Sequence, residues 1–404
     1  IWLTATPPYD DIDFFILDDD YVKLLWEVDY YIPTPAVVKS GRLAPWSDLV
    51  YFVEADDSIK DILKGNDQKL DEFIEKYREE ISSHIYKYLE ENYIFQLNKS
   101  YKKLINYIKF IKNFSELNIQ EYYFDEKIWE EISLEDIAKS VGKYLFDVNK
   151  TRSFEKEVKK LFYNVWYIYR GTNFYKFRTP IENMLIYSQS KINGIKDILN
   201  KEISNIWNNL KSVIITDYLE ERDGIISCKY ILKNLLEYKK YNPILVSWKW
   251  IWKLSSDDEL IELDTNILEV TKMLESGETN ILIWTRWMLW EWWDCPSLNV
   301  LIDLTWIVAY MSVNQVRGRA IRLDPNDKNK VANIYDIVTV VQGYNKGVDL
   351  YRLRRKHEKF YWVDDSWLII RWVEHIYPNL EKHIWDYEKI NQNMLLRSEN
   401  REFY

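Results

Sequence analysis

Residues 264–285 read DTNILEVTKMLESGETNILIWT, and the two patterns in that stretch decide the architecture. Ile267, Val270, Thr271 and Leu274 recur at helical spacing on one face, Asp264 or Thr265 can cap the start, and Gly277 can close the end. An apolar run without alternation follows, and such strands suit a sheet covered by helices on both faces. The same alternation extends in both directions: SVIITDY (212–218), CKYILKNLLEYKK (228–240), NPILVS (242–247), NVLIDL (299–304), a helix through 322, then ANIYDIVTVV (332–341). The predicted fold is α/β with a parallel sheet.

Upstream of 208 the texture differs. Residues 56–207 are read as long amphipathic helices rich in Lys, Glu, Ile and Tyr, exemplified by KLDEFIEKYREEISSHIYKYLEENY (69–93), whose charges form solvated faces. Before them, Leu49–Val53 is a predicted strand, and residues 1–35 carry the turn formers TATPP and IPTP around short apolar pieces. The resulting organisation is 1–40 (remnant and linker), 41–55 (first strand region), 56–207 (helical insertion), 208–345 (sheet domain) and 346–404 (C-terminal extension).

Composition narrows the function classes. Hydrophobic residues are 47% and charged residues 29% of the 404, and no apolar run is long enough to span a bilayer, so no membrane role is expected. The amino end lacks the features of a secretion signal, and two cysteines, Cys228 and Cys295, suit a reducing compartment, so the expected location is cytoplasmic and both thiols are read as small core residues. A net charge of −10 argues against a protein basic all over, so any nucleic-acid contact must be local. Tryptophan is in surplus at 19, and glycine is scarce at 10, where ordinary usage gives roughly 28.

The most chemically informative segment is SVNQVRGRAIRLDP (312–325). As one helix it places Gln315, Arg319 and Arg322 on a shared face, with Val313, Val316, Ala320 and Leu323 as a second, apolar stripe. Gly318 lies between, where a missing side chain allows close approach. Parallel guanidiniums suit phosphate, because each is a planar fork of donors with a permanent charge. The alternative is a surface helix whose arginines pair with nearby acids.

These residues resemble known motifs. QVRGRAIR looks like motif VI, Q-x-x-G-R-x-x-R, of superfamily 2 (DEAD/DEAH-like) helicases and translocases, and TATPP (4–8) looks like their motif III. The pattern T-R-x-x-x-x-E-x-W-D-x-P at 285–296 resembles motif V, and SVIITDY stands where the motif IV strand opens the second RecA-like domain. The four motifs occur in family order over roughly 1–55 and 208–345, and the helical block has no assigned counterpart.

The resemblance implies a RecA-like helicase C-terminal domain that closes on ATP and Mg2+ held mainly by a first domain. In it Arg319 and Arg322 act as arginine fingers on the γ-phosphate, at a crevice expected at the carboxyl edge of the sheet, with Gln315 positioning them and Gly318 giving access. Glu291 and Asp294 face the nucleotide or couple the domains, Thr285 and Arg286 contact nucleic acid, and Thr4 and Thr6 relay the nucleotide state to the strand-binding surface. No G-x-x-x-x-G-K-[ST] loop and no acidic box precedes TATPP in the 404 residues. The chain is therefore expected to be the carboxy-terminal portion of a longer ATP-dependent helicase, inactive alone, with the missing N-terminal RecA-like domain and nucleic acid, DNA favoured over RNA, as partners. The alternative is a non-catalytic nucleic-acid or protein binding module on the same fold.

In the family, motif V reads close to G-T-R-x-x-L/M-G-E-G-W-D-x-P, so Trp293 is expected, while Trp284, Trp290 and Trp292 occupy glycine positions. Trp2, Trp248, Trp306, Trp362, Trp367 and Trp372 read similarly. Such indoles either replace glycines without a binding role and impair motif V, or form a platform on which bases stack.

Elsewhere, YRLRRKHEKFY (351–361) concentrates basic side chains, with Arg352, Arg355 and Lys359 on one helical face. It is read as a solvated basic face or a track for a phosphate backbone. Of the histidines at 84, 357, 375 and 383 only His375 and His383 come near metal-ligand spacing, so no metal site is expected.

Overall fold

The computed structural model describes residues 34–96, 101–117, 128, 131–148, 151–165, 167–171, 173–176, 180–222, 224–286, 293–342, 348–358, 361–363, 369–371, 376–378 and 380–400. The chain divides into two compact units, Asp57–Asn183 and a second built from Ile1–Asp56 with Met184–Tyr404.

In chain order the elements are α1 (Thr34–Lys39), β1 (Trp46–Glu54), α2 (Asp57–Gln96), α3 (Tyr101–Phe114), α4 (Leu134–Asp147), α5 (Arg152–Asn164), β2 (Tyr167–Arg170), β3 (Asn173–Lys176) and α6 (Pro180–Ile186). They continue with α7 (Lys191–Ile206), β4 (Ser212–Thr216), α8 (Cys228–Asn234), β5 (Ile244–Val246), β6 (Ile251–Leu254), β7 (Leu260–Glu262), α9 (Ile267–Ser276), β8 (Ile281–Thr285) and β9 (Val300–Asp303). The last are α10 (Tyr310–Ala320), β10 (Ala332–Val340), α11 (Val348–His357), β11 (Tyr361–Val363), β12 (Ile369–Arg371), α12 (Leu380–His383) and α13 (Tyr387–Asn400).

The larger unit is α/β, around an eight-stranded sheet in the order β1-β10-β9-β4-β8-β5-β6-β7. The first six strands are parallel, and β6 and β7 complete the sheet as antiparallel neighbours. Alternate residues face opposite sides, which explains the uniformly apolar strands. Val213, Ile215, Leu282, Trp284, Leu301 and Ile334 join one core with Val270 and Leu274 of α9 and Val313, Val316 and Ala320 of α10. On the other face, Asn333 and Tyr335 both donate to the buried Glu202 carboxylate of α7. Gly194 lets α7 approach closely there, since a Cβ would stand 3.0 Å from Val53 and 3.1 Å from Tyr51.

The cap of α9 falls one residue after Thr265 and two after Asp264. Asn266, rather than Asp264 or Thr265, accepts from the Glu269 N–H, while the Thr265 hydroxyl donates to the Glu269 carboxylate at 2.6 Å. Gly277 closes the helix in the left-handed region at φ 82°. Cys228 and Cys295 are both buried free thiols.

The smaller unit packs α2 to α5 and the β2–β3 hairpin around Ile81, Leu104, Ile108, Phe110, Val141, Tyr144 and Phe162. Ser133 caps α4 in a reciprocal capping box with Asp136.

Two predicted boundaries differ from this division. The sequence pattern runs the helical block to 207, whereas α7 packs on the sheet and the compact helical unit is Asp57–Asn183. The segment 346–404 contributes to the sheet unit too: α11 packs on β10, and Asn391 of α13 bonds both the N–H (2.7 Å) and the C=O (2.8 Å) of Phe52 on edge strand β1. Helical periodicity reports that a face is buried and is silent about the surface that buries it.

Candidate functional site

Helix α10 carries the motif-VI-like residues, but it is shorter than the predicted 312–325. It ends at Ala320, where the Ile321 N–H closes on the Arg317 carbonyl at 3.3 Å. Asp324 precedes Pro325, a position that disfavours helix, so the chain has already turned. Val313, Val316 and Ala320 are buried as expected, whereas Leu323, assigned to the same stripe, lies beyond the helix and is 43% exposed. Arg322 is likewise in the turn and not on the face shared by Gln315 and Arg319.

The arginine that the sequence reading passed over is Arg317. Its Nη2 meets Asp48 Oδ2 at 2.6 Å with both side chains almost wholly buried, and the Trp46 indole donates to the same oxygen at 3.2 Å. This pair anchors α10 to β1. Its only sequence signal is that residue 317 follows the buried Val316 on the helix flank turned toward the sheet.

Beside that anchor, Arg322 forms an ion pair with Asp294, joining the two motif-like segments. The pair is reachable from solvent, with side-chain exposures of 36% for Arg322 and 54% for Asp294. Arg319 belongs to the same group: burial, then the like charge of Arg322, disfavour its charged form, and Asp294 partly offsets both. Asp294 therefore faces both guanidiniums. Gly318 faces open space, where an added Cβ would meet nothing within 4 Å.

This cluster lies at the amino edge of the parallel sheet, not at the expected carboxyl-edge crevice. Ala44, just before β1, donates its N–H to the Ile321 carbonyl at 2.8 Å, and Lys330, just before β10, donates to the Arg322 carbonyl at 2.8 Å. The reason is topological: α10 follows β9 and returns antiparallel to it, so its last turn reaches the edge where the strands begin.

Thr285 and Arg286 sit at the opposite edge, at the end of β8. Thr285 is buried beside Thr216 in the sheet register. The Arg286 Nε lies 3.3 Å from Asp217 Oδ1, and Asp217 Oδ2 accepts from the Tyr187 hydroxyl at 2.5 Å and the Trp306 N–H at 2.8 Å. Asp217, quoted in the sequence only as the end of a strand, thus organises this edge. Thr4, Thr6 and Glu291 lie outside the described residues.

The tryptophans divide. Trp284 is fully buried with its ring 4.7 Å from that of Trp293, and the Trp293 indole donates to Thr271 at 2.9 Å. Trp284 is therefore a core residue and not a base-stacking platform. Trp306 is half-buried, while Trp248 is 90% exposed. Trp2, Trp290, Trp292, Trp367 and Trp372 lie outside the described residues, as does the side chain of Trp362.

The basic run at 351–361 is neither a solvated face nor a phosphate track at its centre. Asp303 and Asp336 are register neighbours on β9 and β10, and the buried Lys356 ammonium lies 2.5 Å from each. His357 Nε2 is 3.1 Å from Asp336, and Arg352 Nε is 2.5 Å from Asp349, whose other oxygen lies 2.6 Å from the buried Lys191. Burial alone would raise the Asp336 pKa, but Lys356, His357 and Arg352 together hold it far below the usual carboxylate range. Burial lowers the Lys191 pKa to about 8, with Asp349 opposing the drop. Lys359 and His375 lie outside the described residues.

Among the described residues no group of three or more His, Cys, Asp or Glu side chains is arranged to hold a metal, and no helix is long and apolar enough to cross a membrane.

No family model matches the chain, and no curated protein matches it. Among solved structures it is similar to the C-terminal part of the Fun30 ATPase domain, at 15% identity and a TM-score of 0.36, over 86% of this chain and 99% of that one. It is also similar to the Pyrococcus furiosus Hef helicase domain, at 12% identity and a TM-score of 0.33, over 86% of this chain and 65% of that one. With TM-scores below 0.5, neither likeness bears on the chemistry of the two edges.

Proposed function

We propose that the sheet unit is the second RecA-like domain of an ATP-dependent nucleic-acid helicase or translocase of superfamily 2, supplying the arginine-finger half of the ATPase site. The observation that carries this reading is the meeting of Arg319, Arg322 and Asp294, from two separate motif-like segments, in one partly open cluster. Such a cluster suits a polyphosphate, because an anion between the guanidiniums relieves their repulsion.

ATP, held with Mg2+ chiefly by a first domain, supplies the phosphoanhydride whose hydrolysis drives the motor. Arg319 and Arg322 offer fixed positive charge to its terminal oxygens. Asp294 orients Arg322, Gly318 leaves the helix backbone bare beside Arg319, and Gln315 stands one turn earlier on the same helix. Glu291 belongs to the same motif-like segment as Asp294.

The opposite edge is assigned to nucleic acid. Arg286, fixed by Asp217, is the contact residue there in preference to the buried Thr285, with Thr4 and Thr6 relaying nucleotide state. Separate edges for nucleotide and strand, linked by β8 and the 293–299 segment, suit a domain whose task is to couple the two.

The test is to join this chain to an amino-terminal RecA-like domain bearing the phosphate loop and acidic box, and to measure ATP hydrolysis with and without single-stranded DNA. Hydrolysis stimulated by DNA supports the motor. Nucleic-acid binding with no hydrolysis supports the binding module instead.

A further inference from the structure

Lys330 is almost completely buried, yet no apolar role explains it. Its ammonium donates to the Pro296 carbonyl at 2.5 Å and to the Arg322 carbonyl at 2.8 Å. The first acceptor is two residues past Asp294, and the second is the backbone of Arg322 itself. One side chain therefore ties together the two segments whose residues meet in the nucleotide-facing cluster.

The connection from α10 to β10 is shaped to deliver that ammonium. Asp324 accepts from the Asn326 N–H at 2.8 Å and Asp327 from the Asn329 N–H at 3.0 Å, two successive side-chain-closed turns that bring the chain back to Lys330. The Arg322–Asp294 pair is open to solvent on both sides, and exposed pairs are held weakly. Hydrogen bonds donated by the nearly buried Lys330 ammonium are charge-assisted and stronger.

We infer that Lys330 is a positioning residue that clamps the 293–299 segment to the turn after α10, holding Arg322 and Asp294 in register for nucleotide. The inference rests on the reading of that cluster as half of an ATPase site. Burial pushes the Lys330 pKa down to about 8, with Asp324, Cys295, Asp327 and Asp294 opposing the drop. Arg322 adds a further charge nearby, and Lys211 stands against Cys295 and Asp324. Release of the ammonium to water restores its ordinary pKa, so above about pH 8 opening takes up a proton, and rising pH disfavours opening of the clamp.

Hydrogen exchange on the 404-residue chain tests the clamp without ATP. Lys330→Met should speed exchange in peptides covering 293–299 and 319–331 by on the order of tenfold, with Lys330→Arg near native and the Arg317 region of α10 unchanged. Unchanged exchange in both peptides overturns the inference. Should Lys330→Met not fold, the native chain decides: after correction for intrinsic rates, the same two peptides must gain protection between about pH 7 and about pH 9.5 as proton-coupled opening is suppressed, and unchanged or faster exchange overturns the inference.

In the joined two-domain enzyme, Lys330→Met should lower kcat by on the order of a hundredfold with a smaller change in KM. If Arg322→Ala leaves hydrolysis intact while the exchange result holds, the ATPase reading fails and the clamp stands.

Discussion

Arg317 on α10 and Asp48 on β1 form a buried ion pair at 2.6 Å, and that burial separates the structural arginine of the segment from the partly exposed Arg322. Removing one partner of a buried pair strands the other charge away from water. Arg317→Met or Asp48→Asn should therefore cost about 3–5 kcal/mol in urea unfolding, whereas Arg322→Ala should cost about 0–1 kcal/mol. Equal losses at 317 and 322 would contradict this division of labour.

A second prediction concerns the core of charge beneath α11. Lys356 neutralises two aspartates that face each other from adjacent strands, so Lys356→Met should destabilise the sheet unit by about 3–5 kcal/mol. It should leave the salt dependence of any nucleic-acid binding unchanged, since a buried lysine releases no counterions. A shallower salt slope in a folded variant would restore the phosphate-track reading.

How much of this was legible beforehand depends on the residue. The α/β class followed from apolar strands alternating with capped helices, because both signals are local. The buried faces of α9 and α10 followed for the same reason, at Val270, Leu274, Val313 and Val316. Partners distant in sequence did not follow. Nothing near Arg317 in sequence announces Asp48, and nothing in RLRRKH announces Asp303 and Asp336, so buried cations were read as surface ones. The edge at which Arg322 emerges depends on the direction in which α10 returns along the sheet, which spacing along one helix does not encode.

Trp284 gives a third prediction. Its indole is wholly enclosed, with no hydrogen-bond acceptor for the ring N–H among the described residues. Trp284→Phe removes that buried donor and should change stability by less than about 1.5 kcal/mol. Trp284→Gly, although glycine is the residue of the resembling motif, should cost about 3–5 kcal/mol by leaving a cavity against Trp293. Urea unfolding of both variants checks this, and a stabilised Trp284→Gly would contradict the packing described.

Gly318 yields a fourth, in which stability and function move in opposite directions. A Cβ there meets open space, so Gly318→Ala should stabilise the isolated chain by about 0.5–1 kcal/mol through helix propensity alone. The same methyl should weaken ATP hydrolysis in the joined enzyme, because the open space beside Arg319 is where the account places nucleotide. Thermal unfolding and steady-state kinetics on one preparation read both effects, and unimpaired hydrolysis would remove Gly318 from the site.

The most direct measurement is the hydrolysis rate of the joined two-domain enzyme carrying native Arg322 or Arg322→Ala, at saturating ATP and DNA. The account predicts a loss in kcat of about 10³-fold or more, as for other arginine fingers, with unfolding free energy within about 1 kcal/mol of native. A folded Arg322→Ala enzyme that hydrolyses ATP at the native rate would contradict it.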